Sequence, residues 1–176
     1  KYPLDEDGVV GAPIWDAGEK LRDRTTSRNI LTHTSVTYPS ALTDFNTTNT
    51  ALTAAHLGVT TADERTAIIG YIRGDVDYNP EFTLTTPPTP PWKLGDVFRS
   101  MPITIGTPSS TFNDVRDCNN RFADHRTNHQ RSSLNGLRMI VVGANDGQVH
   151  AFKTKTDGAD AGAEAWSFVA PNLLPK

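Results

Sequence analysis

Cysteine is almost absent from the 176 residues: Cys118 is the only one. No disulfide can close within the chain, and no companion thiolates exist to build a structural zinc site. Arg116 and Arg121 flank Cys118 and favour its thiolate form, yet a lone thiol with no other chemistry nearby reads as incidental. Long apolar runs are missing too. The longest, such as Ile140 to Val142, last a few residues, where a membrane helix needs about 20. Positive charge is not in excess: the formal net charge is −3 and the pI about 5.9. With arginines and acids interspersed, no basic face for a nucleic-acid partner stands out.

Several catalytic signatures are missing as well. There is no Gly-x-Ser-x-Gly elbow, no phosphate loop and no His-Glu-x-x-His. The chain opens on Lys1 instead of methionine, carries no signal peptide and ends "LLPK" without a cap or turn. It is therefore expected to be a mature, processed or excised piece of a longer polypeptide. An apolar share of 36% and a mean hydropathy of −0.44 suit a soluble chain with a modest core. The length suits one domain, or a small domain with an irregular arm. Little lysine beside much Thr, Asn and Ser is common in secreted β-rich proteins.

What is present divides in two. Residues 1–82 read as an arm of short helices and extended pieces. A short helix is expected around Asp16 to Arg22, with Ile14, Trp15 and Leu21 apolar, and "NILTHTSVTY" alternates like a strand. "TNTALTAAHLG" suggests a short helix stopped by Gly58. "TTADERTAIIGYIRG" predicts the best helix: Thr61 and Glu64 match a capping box, Ile68, Ile69 and Ile72 form its buried face, and Gly74 ends it. Residues 83–91, "TLTTPPTPP", are a stiff linker, because proline fixes φ and removes amide donors.

Residues 92–176 are dominated by strands. "MPITIG" (101–106), "RMIVVG" (138–143), "QVHAFK" (148–153) and "AWSFVA" (165–170) are short β-type runs. Asn145, Asp146 and Gly147 supply a tight hairpin turn between the second and third runs. "TKTDGADAGAE" joins the third to the fourth. The predicted fold class is thus α+β: an irregular helical arm, then a four-stranded antiparallel sheet like one blade of a β-propeller. A polar insertion, 107–137, contains one surface helix within "NNRFADHRTNHQR".

The stretches "WDAGEKL…RNILT", "ERTAIIGYIRG", "WKLGDVFRSMPITIGTP", "MIVVGANDGQVHAF" and "EAWSFVAPNLLPK" resemble, in this order, the type IV pilus tip-associated adhesins of the PilY/PilC family. The resemblance runs from about Trp15 to Lys176, and its most specific part is "WKLGDVFRSMP" followed by "VGANDGQVHAF". It implies secretion, a place at or near the pilus tip, and roles in surface attachment and pilus function. It also implies that these residues lead into a quinoprotein-like β-propeller of several blades. This chain holds strands for about one, and the family's calcium-loop pattern has no matching position in it.

The candidate chemistry is sparse. His150 is expected to be a neutral histidine hydrogen-bonded within the sheet. Asp75, Asp77 and Asn79 alternate like the start of a calcium loop, with Glu81 a further oxygen donor, but Pro80 and Thr86 stand where an EF-hand needs Gly and Glu. The cofactor expectation is therefore none, or calcium at this loop. His125 and His129 would share a helix face and are read as a solvent-facing pair. Trp15, Trp92 and Trp166 read as packing anchors, and Trp166 is similar to the docking tryptophan of quinoprotein-type blades. A single blade cannot enclose a cofactor, so no enzyme is expected.

A lone blade would expose two apolar faces and unpaired strand edges. The expected partners are the remaining blades or other copies of the chain, pilus subunits, and a host or abiotic surface. No nucleic acid and no membrane span are expected. The alternative is a processed fragment that joins its copies by strand edges into an extracellular filament.

Overall fold

A computed structural model describes residues 1–35, 41–75, 92–110, 116, 117, 119 and 121–174. The elements in chain order are α1 (Ala17–Arg22), β1 (Ile30–Thr32), β2 (Thr43–Asp44), a 3-10 turn (Ala54–Leu57), α2 (Ala62–Arg73), β3 (Ile103–Ile105), α3 (Arg121–Asn128), β4 (Met139–Gly143), β5 (Gln148–Lys153), β6 (Glu164–Val169) and a 3-10 turn (Pro171–Leu173). The linker at 83–91 and Cys118 lie outside the described residues. No helix among the described residues is long and apolar enough to cross a membrane.

The sheet differs from the expected four-stranded antiparallel one. It has six strands in the order β2-β1-β6-β5-β4-β3 and is mixed. The predicted strands form its antiparallel run from β3 to β6. Beyond them β1 adds in parallel to β6, with Ile30 opposite Ser167 and Leu31 opposite Phe168, and β2 closes that side. The reason is local: the outer edge of β6 offers unpaired amides and carbonyls, and Asn29–Thr32 is extended and apolar enough to take them. At the other side β3 has β4 as its one strand partner among the described residues.

The helices form for the reasons the sequence announces. The Asp16 side chain accepts from the Glu19 amide at the start of α1. Thr61 and Glu64 close a capping box at the start of α2, and Gly74 ends it with φ of 70°. Ile69 is buried, while Ile68 and Ile72 pack on the core only partly buried. That core joins Ile69 to Leu52, Leu57, Phe45, Ile30, Val169 and Leu174. It lies over β1 and β6, toward the β2 side of the sheet.

Paired residues in register share a face, which sorts the sheet into two. One face carries Ile30, Ser167, His150, Val142, Gln148, Val169, Phe152 and Glu164. The opposite face carries Leu31, Phe168, Trp166, Val149, Ala151, Val141, Met139, Ile103 and Ile105. On the first, all of these are buried, although Ile140 and Thr104 of the same face, at the β3 edge, are not; on the second, Ala151 alone is buried.

Candidate functional site: a buried charge network at the hairpin

The hairpin turn is built as predicted. Ala144 N–H donates to Gln148 O, Gly147 N–H donates to Ala144 O, and Gly147 takes φ of 78°, a value that favours glycine. Asp146 is the junction. Its carboxylate accepts from the Gln148 amide at 3.0 Å, from the Gly95 amide at 2.9 Å and from His150 Nε2 at 3.0 Å. Asn145 N–H donates to Asp96 O at 2.9 Å, and Gly143 N–H donates to Ser100 Oγ at 2.9 Å. The segment "WKLGDVFRS" is thereby stitched onto the hairpin along its length. Gly95 is required for the fit, because a Cβ there would fall 2.9 Å from Asp146 Cβ and closer still to its backbone nitrogen.

His150 is completely buried, and both ring nitrogens face carboxylates: Nε2 on Asp146 and Nδ1 on Glu164 at 2.8 Å. A neutral imidazole has one N–H to give, and two ionised acceptors demand two. Burial pulls its pKa down, but the bonds to Asp146 and Glu164 outweigh that and hold it above 6.5. A carboxylate at each ring nitrogen favours a doubly protonated ring, where the sequence suggested a neutral one. Phe152 stacks on its ring, with centroids 5.8 Å apart.

Glu164 is the second hub, its side chain wholly enclosed. Arg28 grips it bidentately, Nη2 to Oε1 at 2.8 Å and Nε to Oε2 at 2.9 Å, and Arg24 stands 3.8 Å away. Burial would raise the Glu164 pKa, yet His150 and Arg28 hold it at about 2. Arg28 also donates to Ile72 O and Arg73 O, so a cation sits on the last carbonyls of α2, where the helix dipole favours it. Gln148 completes the web: its Oε1 accepts from Arg28 and Ser167, and its Nε2 donates to Ile72 O at 3.1 Å. No buried side-chain polar atom among the described residues lacks a partner. Arg28, Glu164, His150 and Asp146 therefore form a charge-balanced clasp between sheet, α2 and hairpin.

Two clefts flank the turn. One, of about 550 Å³, is lined by Leu57, Ile68, Tyr71, Leu173 and the Asn145–Gly147 turn. The other, of about 310 Å³, lies between Tyr71, Trp92, Lys93 and Asp146. Asp146 touches both, but its oxygens are already engaged by His150 and two amides. For Asp146 burial acts to raise the pKa, and His150 with those amides wins, keeping it below the usual carboxylate value. It is a fixed anion.

The other expected residues are scattered. Asp75 is paired with Arg73 at 2.8 Å, and Asp77, Asn79 and Glu81 lie outside the described residues. Among the described residues no group of His, Cys, Asp and Glu has metal-site geometry. His125 and His129 are exposed and stack at 3.9 Å on and just after α3. Trp15 is buried, and its indole donates to Lys155 O at 2.7 Å. Trp92 differs from the anchor expected: it is half exposed, its ring beside Gly18 and 5.9 Å from the Arg22 guanidinium. Trp166 lies on the thinly covered face of the sheet, opposite Ala151.

Sequence reasoning missed Arg28 and Glu164. Their available signal was a charged residue at the first position of β6 and another just before β1, at places where alternation calls for buried side chains. No family model, curated protein or solved structure matches the chain.

Proposed function

We propose that the chain is a non-enzymatic extracellular structural and adhesive module, a part of a type IV pilus-associated tip adhesin whose sheet is one sector of a β-propeller. The observation that carries this reading is the second face of the sheet. Eight apolar side chains larger than alanine run across it from Leu31 to Ile105, and none is buried. A soluble domain normally covers such a face, whereas a propeller blade packs a face of this kind on its neighbour, and here the chain's own core covers only the opposite face.

Two further observations support it. The pieces most specific to the family resemblance, "WKLGDVFRSMP" and "VGANDGQVHAF", are bonded to one another through Gly95, Asp96, Ser100, Gly143, Asn145 and Asp146. The ionisable groups of the clasp are consumed by each other, with His150 out of reach of any substrate. Immunogold microscopy of intact producing cells, with an antibody raised against this chain, tests the reading. Label at pilus tips or on the cell surface is expected; label confined to the cell interior overturns it.

The alternative is a fragment that joins its copies through strand edges into a filament. It is favoured by β3, whose three residues are all exposed and whose outer edge has no strand partner among the described residues. Electron microscopy of the purified chain decides it: open-ended fibres support it, and discrete particles at every concentration reject it.

A further inference from the structure

The two ends of the charge distribution do not match. Residues 99–138 hold six arginines against three aspartates, a charge of +3 in a chain whose net charge is −3. Residues 1–23 hold six carboxylates against three cations. Both regions also display apolar side chains that a solvated surface does not need.

The acidic region begins with a small hairpin. Leu4 bridges Val10, Asp5 N–H donates to Val9 O, and Asp5 Oδ1 accepts from the Asp7 and Val9 amides. Its base is fastened: the Lys1 α-amino group donates to Trp15 O at 2.6 Å and Lys1 Nζ donates to Thr154 O at 3.0 Å. The hairpin thus presents Tyr2, Leu4, Val9 and Val10, all more than half exposed, around Asp5, Glu6 and Asp7. None of the three carboxylates meets a cation among the described residues.

The basic region surrounds β3. Phe98, Met101, Ile103 and Ile105 are exposed, up to 84% for Met101. Arg99 stands beside Phe98. At the other end, Arg138 reaches to about 4 Å from the place a Cβ would take on Gly106, and the Arg131 main chain is fixed by Thr107 Oγ1, which donates to its carbonyl and accepts from its N–H. None of these three guanidinium groups meets a carboxylate among the described residues.

We infer that the acidic hairpin of one copy docks on the arginine-rimmed β3 surface of a second copy, and that the pairing is reciprocal. Opposite unpaired charges set the register, and the apolar side chains inside each rim supply the buried area. The symmetry follows from position. Thr154 O holds Lys1 Nζ while Thr154 N–H donates to Arg138 O, so the hairpin base lies beside the Arg138 end of the arginine rim. A two-fold axis at that end lays each hairpin on the other's β3, and such an interface closes at two copies. The inference goes beyond the pilus reading and is independent of where the protein is located.

Sedimentation velocity on the whole purified chain over a concentration series tests it, alongside three charge-reversal variants. One carries Glu6→Lys and Asp7→Lys; one carries Arg131→Glu and Arg138→Glu; the third carries all four. The wild type is expected to reach a dimer and stop. Each single-region variant should weaken pairing on the order of a hundredfold, and the combined variant should restore it, since both partners have then changed sign. Near-native circular dichroism is expected throughout, because the altered residues are at the surface. A wild type monomeric at all concentrations, mass that grows without limit, or variants that pair as well as the wild type would each overturn the inference. Unlimited growth would point to the filament reading instead.

Discussion

Replacing Glu164 by Gln should be strongly destabilising although it keeps the shape of the side chain. The variant removes the anion that Arg28 grips twice, at 2.8 and 2.9 Å, and that His150 bonds at 2.8 Å. Its amide would also point N–H groups at donors. A carboxyl held at about 2 where the free group titrates at 4.5 corresponds to about 3 kcal/mol at neutral pH. Stripping a buried pair of one partner costs roughly 3–5 kcal/mol. The two routes converge on about 3 kcal/mol or more, a large share of the roughly 5–15 kcal/mol typical of a folded domain. With a urea slope of about 1–3 kcal/mol per molar, the unfolding midpoint read by tryptophan fluorescence should fall by roughly 1–3 M at unchanged slope. The control is Asp23→Asn, which breaks the exposed pair with Arg22 and should leave the midpoint in place. If Glu164→Gln shifts the midpoint no more than that control, the clasp does not hold the fold together.

Other outcomes follow from the same geometry. His150 titrates above 6.5 when folded, so its contribution is complete below about 6.5 and is lost as pH rises through the folded value; that of Glu164 is complete above 4.5 and is lost as pH falls toward 2. Thermal unfolding followed across pH should therefore show greatest stability between those limits, and His150→Gln should abolish the alkaline limb while keeping the acid one. Gly95→Ala should push Asp146 from its seat and cost about 1–3 kcal/mol. Amide exchange should quicken at Gly95 and Asn145, whose N–H groups bridge the two segments.

Local chemistry made the antiparallel run legible. "ANDG" between alternating apolar runs specifies a hairpin within ten residues, and Thr61 with Glu64 announces a helix start within four. The strands of residues 92–176 fell where alternation put them, to within two residues at either end. The rest depended on distance. Arg28 and Glu164 are 136 positions apart, and no periodicity links them. The parallel addition of β1 to β6 rests on a three-residue strand, too short for alternation to distinguish from loop. The charge on His150 was hidden for the same reason: "QVHAF" shows an imidazole in a strand, and the second carboxylate that fixes its protonation arrives from β6. Trp92 shows the opposite error, since size alone suggested an anchor while its neighbours Gly18 and Arg22 hold it at the surface.

In the proposed reading, one sheet face is closed by its own chain and the other is kept for a neighbour. Carbene footprinting of the dilute chain, read residue by residue by mass spectrometry, measures this in a single experiment. Val142, Phe152 and Val169 should stay unlabelled, while Met139, Val149, Trp166 and Phe168 on the opposite face are labelled. Equal protection of both faces in the dilute chain would contradict the account.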